Sequence, residues 1–165
     1  MITERTILTL LTEKDLPAMM EMAREEDTFK YLKKLRVMTT AEYDRFLLTK
    51  LEQIQNKTGY HWAAWLKTDH SFVGALNLNP VAGTDKMQIG CQLKRVYWKQ
   101  GFASELLKRA FDFAMEELKL PEIYGLFEKE NGISRRLLEK LGFTPLEVRL
   151  SQGVEVEYYR YIALK

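Results

Sequence analysis

One junction constrains this chain more than any other feature. An apolar run, Met87–Leu93 (MQIGCQL), has the length and composition of a buried strand. It is followed by Arg95-Val96-Tyr97-Trp98-Lys99-Gln100-Gly101-Phe102-Ala103-Ser104, and then by apolar residues Leu106, Ala110 and Phe113 at helical spacing. That helix is expected to run from about Phe102 to Leu118. Pro121 then opens a second strand, Ile123–Phe127. A strand, a helix and a strand in immediate succession make a parallel crossover, which is right-handed in nearly all sheets.

The flanking segments cannot all be parallel to that pair. Tyr60–Lys67 and Phe72–Leu78 are joined by the short turn Thr68-Asp69-His70, and Gly83-Thr84-Asp85 turns the chain into Met87. Thr144–Leu150 and Glu155–Leu164 are joined through Ser151-Gln152-Gly153. Short turns join antiparallel strands, so the sheet is mixed. Upstream, Thr6–Leu11 reads as a first strand. Thr12 with Asp15 forms a capping arrangement ahead of Leu16, Met19 and Ala23, and Asp27–Arg36 is an irregular or short helical connector. A longer helix starts near Thr40 on the stripe Tyr43, Leu47, Leu51 and Ile54. Asn131 opens another, with Ile133, Leu137 and Leu141 inward and Gly142 closing it. The expected fold class is α/β, a mixed sheet flanked by helices, in the order β-α-α-β-β-β-α-β-α-β-β. No repeat or Pro/Gly-rich linker divides residues 1–165, so they are read as a single domain.

Composition excludes several classes. The net charge is +2, too small to argue for nucleic acid, and Lys33-Lys34 with Arg36 is a short basic cluster of the kind found on solvated faces. No apolar run approaches the roughly 18–20 residues needed to cross a bilayer. The N-terminus MITERTILTL lacks the layout of a signal peptide, and the single cysteine, Cys91, has no partner for an internal disulfide. A cytoplasmic location, no membrane association and no metal are therefore expected.

The junction has no Asp or Asn to cap its helix. It offers Lys99, Gln100, Gly101 and the small pair Ala103-Ser104. A helix start carries backbone N–H groups without partners and a partial positive charge. Gly101 lets phosphate oxygens approach the backbone, Ala103 keeps the next turn clear, Ser104 adds a hydroxyl and Lys99 a full charge. The segment reads as a cradle for a pyrophosphate. Neither GxxxxGK[ST] nor GxGxxG is present, so it is neither a Walker loop nor a dinucleotide fingerprint.

A second segment, Asn131–Phe143 (NGISRRLLEKLGF), lies downstream. Together the two segments resemble the GNAT superfamily of acyl-CoA-dependent N-acyltransferases, in its RimJ/RimL-like branch, and the order of strands and helices extends the resemblance over nearly the whole chain. The resemblance implies that the family's loop (Q/R)xxGx(G/A) falls on Trp98-Lys99-Gln100-Gly101-Phe102-Ala103, with Trp98 in place of Gln or Arg and Lys99 where a second glycine is frequent. It implies that backbone groups of Cys91, Gln92 and Leu93 pair with the pantetheine arm of acetyl-CoA, that Asn131 hydrogen-bonds the same arm, and that Phe143 packs at the helix end. It further implies an amide of Gln92 or Leu93 aimed at the thioester carbonyl.

The chemistry has three requirements: a neutral amine, an N–H donor for the developing oxyanion, and a proton or hydrogen bond for the departing thiolate. Many family members supply the last from a tyrosine that falls on Leu138 here, so that acid is missing. Ser134 matches the serine that serves in the RimJ/RimL-like branch, as proton or hydrogen-bond donor; its other reading is support for the helix's first turn. The family's strand glutamate falls on Gln88, which accepts no proton at neutral pH. Glu128 and Glu157 remain as weak candidates for a base, which stays unassigned. His61, His70 and Cys91 read as packed or surface residues rather than catalysts.

The expected activity is acetyl-CoA-dependent transfer to a primary amine, either a protein N-terminal α-amine or a small molecule, by direct attack in a ternary complex and from a monomer or homodimer. The rival expectations are a CoA-binding sensor or scaffold of the same fold, favoured by Gln88 and Leu138, and a nucleotide-using phosphate-binding enzyme.

Overall fold

The computed structural model describes residues 1–163. Its strands are β1 (Thr6–Leu10), β2 (Tyr60–Leu66), β3 (Phe72–Pro80), β4 (Met87–Leu93), β5 (Glu122–Glu128), β6 (Thr144–Ser151) and β7 (Val154–Ile162). Its helices are α1 (Leu16–Ala23), α2 (Lys33–Arg36), α3 (Thr40–Gln55), α4 (Phe102–Asp112) and α5 (Gly132–Lys140). The strands make one seven-stranded sheet in the order β1-β2-β3-β4-β5-β7-β6. Among these strands only β4 and β5 run parallel, as the crossover through α4 requires.

Most strand ends lie within two residues of expectation, and the structure departs further at three places. The connector contains a full short helix, so three helices rather than two separate β1 from β2. The helix after the junction is α-helical only to Asp112. It then widens over Phe113–Glu117, where Leu118 N–H reaches back to the Phe113 carbonyl, and Phe113 stands edge-on to Tyr60 and Trp62. The last strand ends at Ile162, and Leu164 lies outside the described residues.

Each face of the sheet has its own core. On the back face, α4 buries Phe102, Leu106, Leu107 and Ala110 against Leu76, Ile89 and Ile123, while α5 sends Leu138 to the same cluster. On the front face, Met19 and Met22 of α1 and Tyr43 and Leu47 of α3 pack with Ala63 and Phe72. The front helix α3 begins as its sequence dictates: Thr39 accepts from Glu42 N–H, and the Glu42 carboxylate accepts from Thr39 N–H in return. Ahead of α1, the Asp15 carboxylate accepts from the Thr12 N–H and hydroxyl, while Asp15 N–H bonds to the Thr12 carbonyl.

The feature that positions the site is a defect in the sheet. β3 and β4 pair over seven positions, from Pro80↔Met87 to Gly74↔Leu93. β4 and β5 share a single one, Gln88↔Tyr124. Beyond that rung the two parallel strands part, and the carboxyl half of β4 has an unpaired edge. Ligands in α/β sheets favour this end of parallel strands.

Candidate functional site

α4 starts where the chain passes through two left-handed residues, Lys99 (φ 58°) and Gly101 (φ 84°). For lysine this conformation costs about 1–2 kcal/mol, which explains why glycine suits the position. Glu105 N–H makes the first helical bond, to the Gly101 carbonyl. Among the described residues, no side chain caps the helix and the amides from Lys99 to Ser104 have no protein acceptor. Successive amides turned inward by alternating backbone handedness make an anion-binding concavity, and the dipole of the eleven-residue helix adds to it.

The loop is fixed from both sides. Trp98 Nε1 donates to the Leu93 carbonyl at 2.9 Å, tying the loop to the end of β4. Arg5 Nη1 donates to the Gln100 carbonyl at 2.9 Å, and its guanidinium lies 3.8 Å from the centre of the Phe102 ring. Arg5 Nε also meets Glu105 at 2.7 Å, and the same carboxylate accepts from Arg5 N–H and the Thr3 hydroxyl. Partial burial opposes ionisation of Glu105, but these three donors outweigh it and hold its pKa below the ordinary 4.5. The sign follows directly: the carboxylate stabilises the fold above the unfolded-state value, and that contribution is lost as pH falls through the lower folded value. Urea unfolding should therefore show wild type more stable than Glu105→Gln at pH 7. The difference should shrink at about pH 3.5. A difference independent of pH would remove this role.

The unpaired edge of β4 has defined donors. Lys94 N–H bonds to Val73 of β3, and alternate residues along a strand point to opposite edges. Gln92 therefore turns its amide and carbonyl toward β3, while Cys91 and Leu93 turn theirs toward the gap. Of the three residues expected to offer backbone groups there, Gln92 does not. The Leu93 carbonyl is already taken by Trp98, leaving its N–H as the open group. Across the gap, Asn131 caps α5: its Oδ1 accepts from Ser134 N–H at 3.1 Å. Its Nδ2 and the Ser134 hydroxyl make no hydrogen bond among the described residues. Leu138 is 4% exposed and faces Gly125, so this position points into the core rather than toward the gap.

The front side of the gap is lined by neutral amides. Asn77 fills the space that Gly90 leaves, with Oδ1 3.1 Å from where a Cβ would stand, and donates to Asn79 at 2.6 Å. Gln88 and Gln92 share that face. The carboxylates proposed as bases are occupied. Glu128 accepts from the Lys33 N–H at the start of α2, and Glu157 takes Arg135 through both oxygens, at 2.6 and 3.0 Å. The acids before the connector serve it too: Glu21 and Glu25 hold Lys94, Glu25 also accepts from Arg95 N–H, and Glu26 meets Arg95. The chain on either side of Asp27 is thus tied to Lys94 and Arg95 just after β4 and to Glu128 at the end of β5. His61 is buried on Gln53, and desolvation lowers its pKa to about 3. Burial pushes the Cys91 thiol up to about 12, leaving it protonated and a poor nucleophile.

Residues 5–144 match the model of the acetyltransferase (GNAT) domain. The chain belongs to the GNAT family. GNAT acetyltransferases take their acetyl group from acetyl-CoA, and this chain is accordingly an acetyltransferase whose parted β4 and β5 face the helix start. Among curated relatives, the uncharacterized N-acetyltransferase YoaA of Bacillus subtilis (strain 168) is 24% identical over 142 residues, covering 86% of this chain and 80% of YoaA. The same GNAT fold recurs in solved structures. RimL, a ribosomal L7/L12 α-N-protein acetyltransferase in complex with coenzyme A, superposes with a TM-score of 0.83 at 15% identity, over 98% of this chain and 96% of RimL. Spermidine N-acetyltransferase from Vibrio cholerae, in complex with CoA and spermine, gives 0.79 at 16%, over 95% of each chain. Within this GNAT chain, Arg5 and Glu105 are site-forming residues that the sequence did not reveal. They are 100 positions apart, and no local pattern links them.

Proposed function

We propose that the chain transfers acetyl from acetyl-CoA to a primary amine, a protein N-terminal α-amine or a small-molecule amine, by direct attack with both substrates bound. The observation that carries this reading is the run of unpartnered amides from Lys99 to Ser104 beside the open edge of β4. A diphosphate would satisfy those amides, with Lys99 as countercharge. The Cys91 and Leu93 backbone groups and Asn131 Nδ2 would hold the amide-bearing pantetheine arm as an added strand is held. When bound, acetyl-CoA supplies the activated acyl group. The Leu93 N–H is the open donor for its carbonyl oxygen, and the Ser134 hydroxyl is the free donor on the opposite wall for the sulfur.

The amide-lined front face supports acceptors that are readily neutral. An α-amine with a pKa near 7.7–8.0 is about a third unprotonated at pH 7.5, against about 0.1% for a lysine-type amine near 10.4. A site whose nearby carboxylates are already paired favours the former. Ser134→Ala should lower kcat by about a hundredfold with CoA affinity unchanged, measured by free-thiol release and calorimetry. An unchanged kcat would remove Ser134 from the reaction.

The buried Leu138 and the amide at Gln88 favour one other reading, a CoA-binding sensor without turnover. Thiol release over a panel of α-amines, polyamines and peptides separates the two. Stimulated turnover supports the enzyme, and tight CoA binding with none supports the sensor.

A further inference from the structure

The two edges of the sheet are treated differently by the chain. β1 is covered: Leu8 N–H bonds to the Met1 carbonyl, Ile2 bridges to Ile7, and Thr3 bonds to Thr6. β6 is not. Every residue from Thr144 to Ser151 is exposed, including Leu146 at 43%, Val148 at 50% and Leu150 at 77%. An edge strand presents a row of unpaired backbone donors and acceptors, and chains usually blunt such edges with lysine, proline or a covering segment. β6 carries no lysine. Its one proline, Pro145, sits near the start, where a bulge between Pro145 and Glu147 interrupts pairing with β7.

The stretch that begins at the bulged residue, Leu146-Glu147-Val148-Arg149-Leu150, is self-complementary when reversed. In antiparallel pairing about Val148, Val148 meets its own copy, Glu147 meets Arg149 of the other chain, and Leu146 meets Leu150. Opposite charges placed directly across strands are favourable and like charges unfavourable. A twofold centred one residue away would set Glu147 against Glu147 or Arg149 against Arg149. In the single chain, Glu147 and Arg149 satisfy each other, and Arg149 lies 4.6 Å from the Tyr158 ring centre. An exposed pair of this kind contributes little and is free to exchange partners.

We propose that β6 pairs with β6 of a second copy of this chain, antiparallel about a twofold axis at Val148, extending the sheet across both. Such an isologous contact closes on itself, which is how an open edge yields a dimer rather than a fibre. The bulge at Leu146 interrupts the regular edge beyond Glu147 and so confines the pairing to this stretch.

The test is sedimentation of four samples: wild type, Glu147→Arg, Arg149→Glu, and an equimolar mixture of the two variants. Circular dichroism and CoA binding check the fold of each. Wild type should be dimeric and each variant alone monomeric, because each sets like charges opposite one another. The mixture should recover the dimer mass, since a strand with two arginines then lies against a strand with two glutamates. A purely intramolecular role for the pair predicts no association on mixing. A wild type that stays monomeric at about 100 μM, variants that dimerise alone, or a mixture that stays monomeric would each overturn the proposal.

Discussion

Gly74→Ala is expected to destabilise the chain by about 3 kcal/mol and to weaken CoA binding by more than tenfold in the protein that still folds. A Cβ on Gly74 would overlap the Gln92 carbonyl oxygen and stand 2.8 Å from Leu93 Cα. These are backbone atoms, so no rotamer change relieves the contact, and β4 itself must move. Its far edge carries the Cys91 and Leu93 groups that face the gap, and the Leu93 carbonyl anchors Trp98 and hence the helix start. Stability and ligand binding should therefore fall together. Urea unfolding and calorimetry with CoA measure the two effects. A variant within about 0.5 kcal/mol of wild type would show that β3 and β4 are not in the close contact described.

Gly101→Val should separate the two effects. Here a Cβ would meet only Arg5 Nη2 at 3.4 Å, an ordinary contact, so the core is spared. The cost lies in the backbone, because φ 84° is left-handed and a β-branched residue pays about 1–2 kcal/mol or more to adopt it. If the loop instead relaxes, its amides no longer converge. CoA affinity should fall by at least about tenfold, since 1.4 kcal/mol is a factor of ten, while stability to urea falls by no more than about the 1–2 kcal/mol of that backbone cost, less than for Gly74→Ala. Unaltered affinity would show that the helix start is not where the diphosphate binds.

These two glycines differ in how visible they are beforehand. Gly101 stands out in the sequence because it precedes an amphipathic helix that has no capping side chain, and both facts are local. The strand Met87–Leu93, the cap at Thr12 and Asp15 and the start of α3 near Thr40 are legible for the same reason: periodicity and capping act over a few residues. Gly74 carries no such mark, since its importance comes from Gln92 and Leu93 on the neighbouring strand. The weakest expectations concerned groups whose partners are distant. Glu128 and Glu157 look like free acids in the sequence, but the Lys33 backbone N–H and the Arg135 guanidinium occupy them in the fold. Glu21, Glu25 and Glu26 likewise take partners far along the chain, Lys94 and Arg95.

The sequence by itself determined the elements, the parallel crossover and the bare helix start, because a hydrophobic period, a missing cap and a left-handed glycine are properties of short stretches of chain. Tertiary structure alone decided that β4 and β5 part after one rung, which β4 amides are open, which carboxylates are already paired, and that one sheet edge is covered while the other is bare. Those outcomes depend on contacts between residues far apart in the chain, where strand alternation and side-chain reach, rather than local pattern, select the partner.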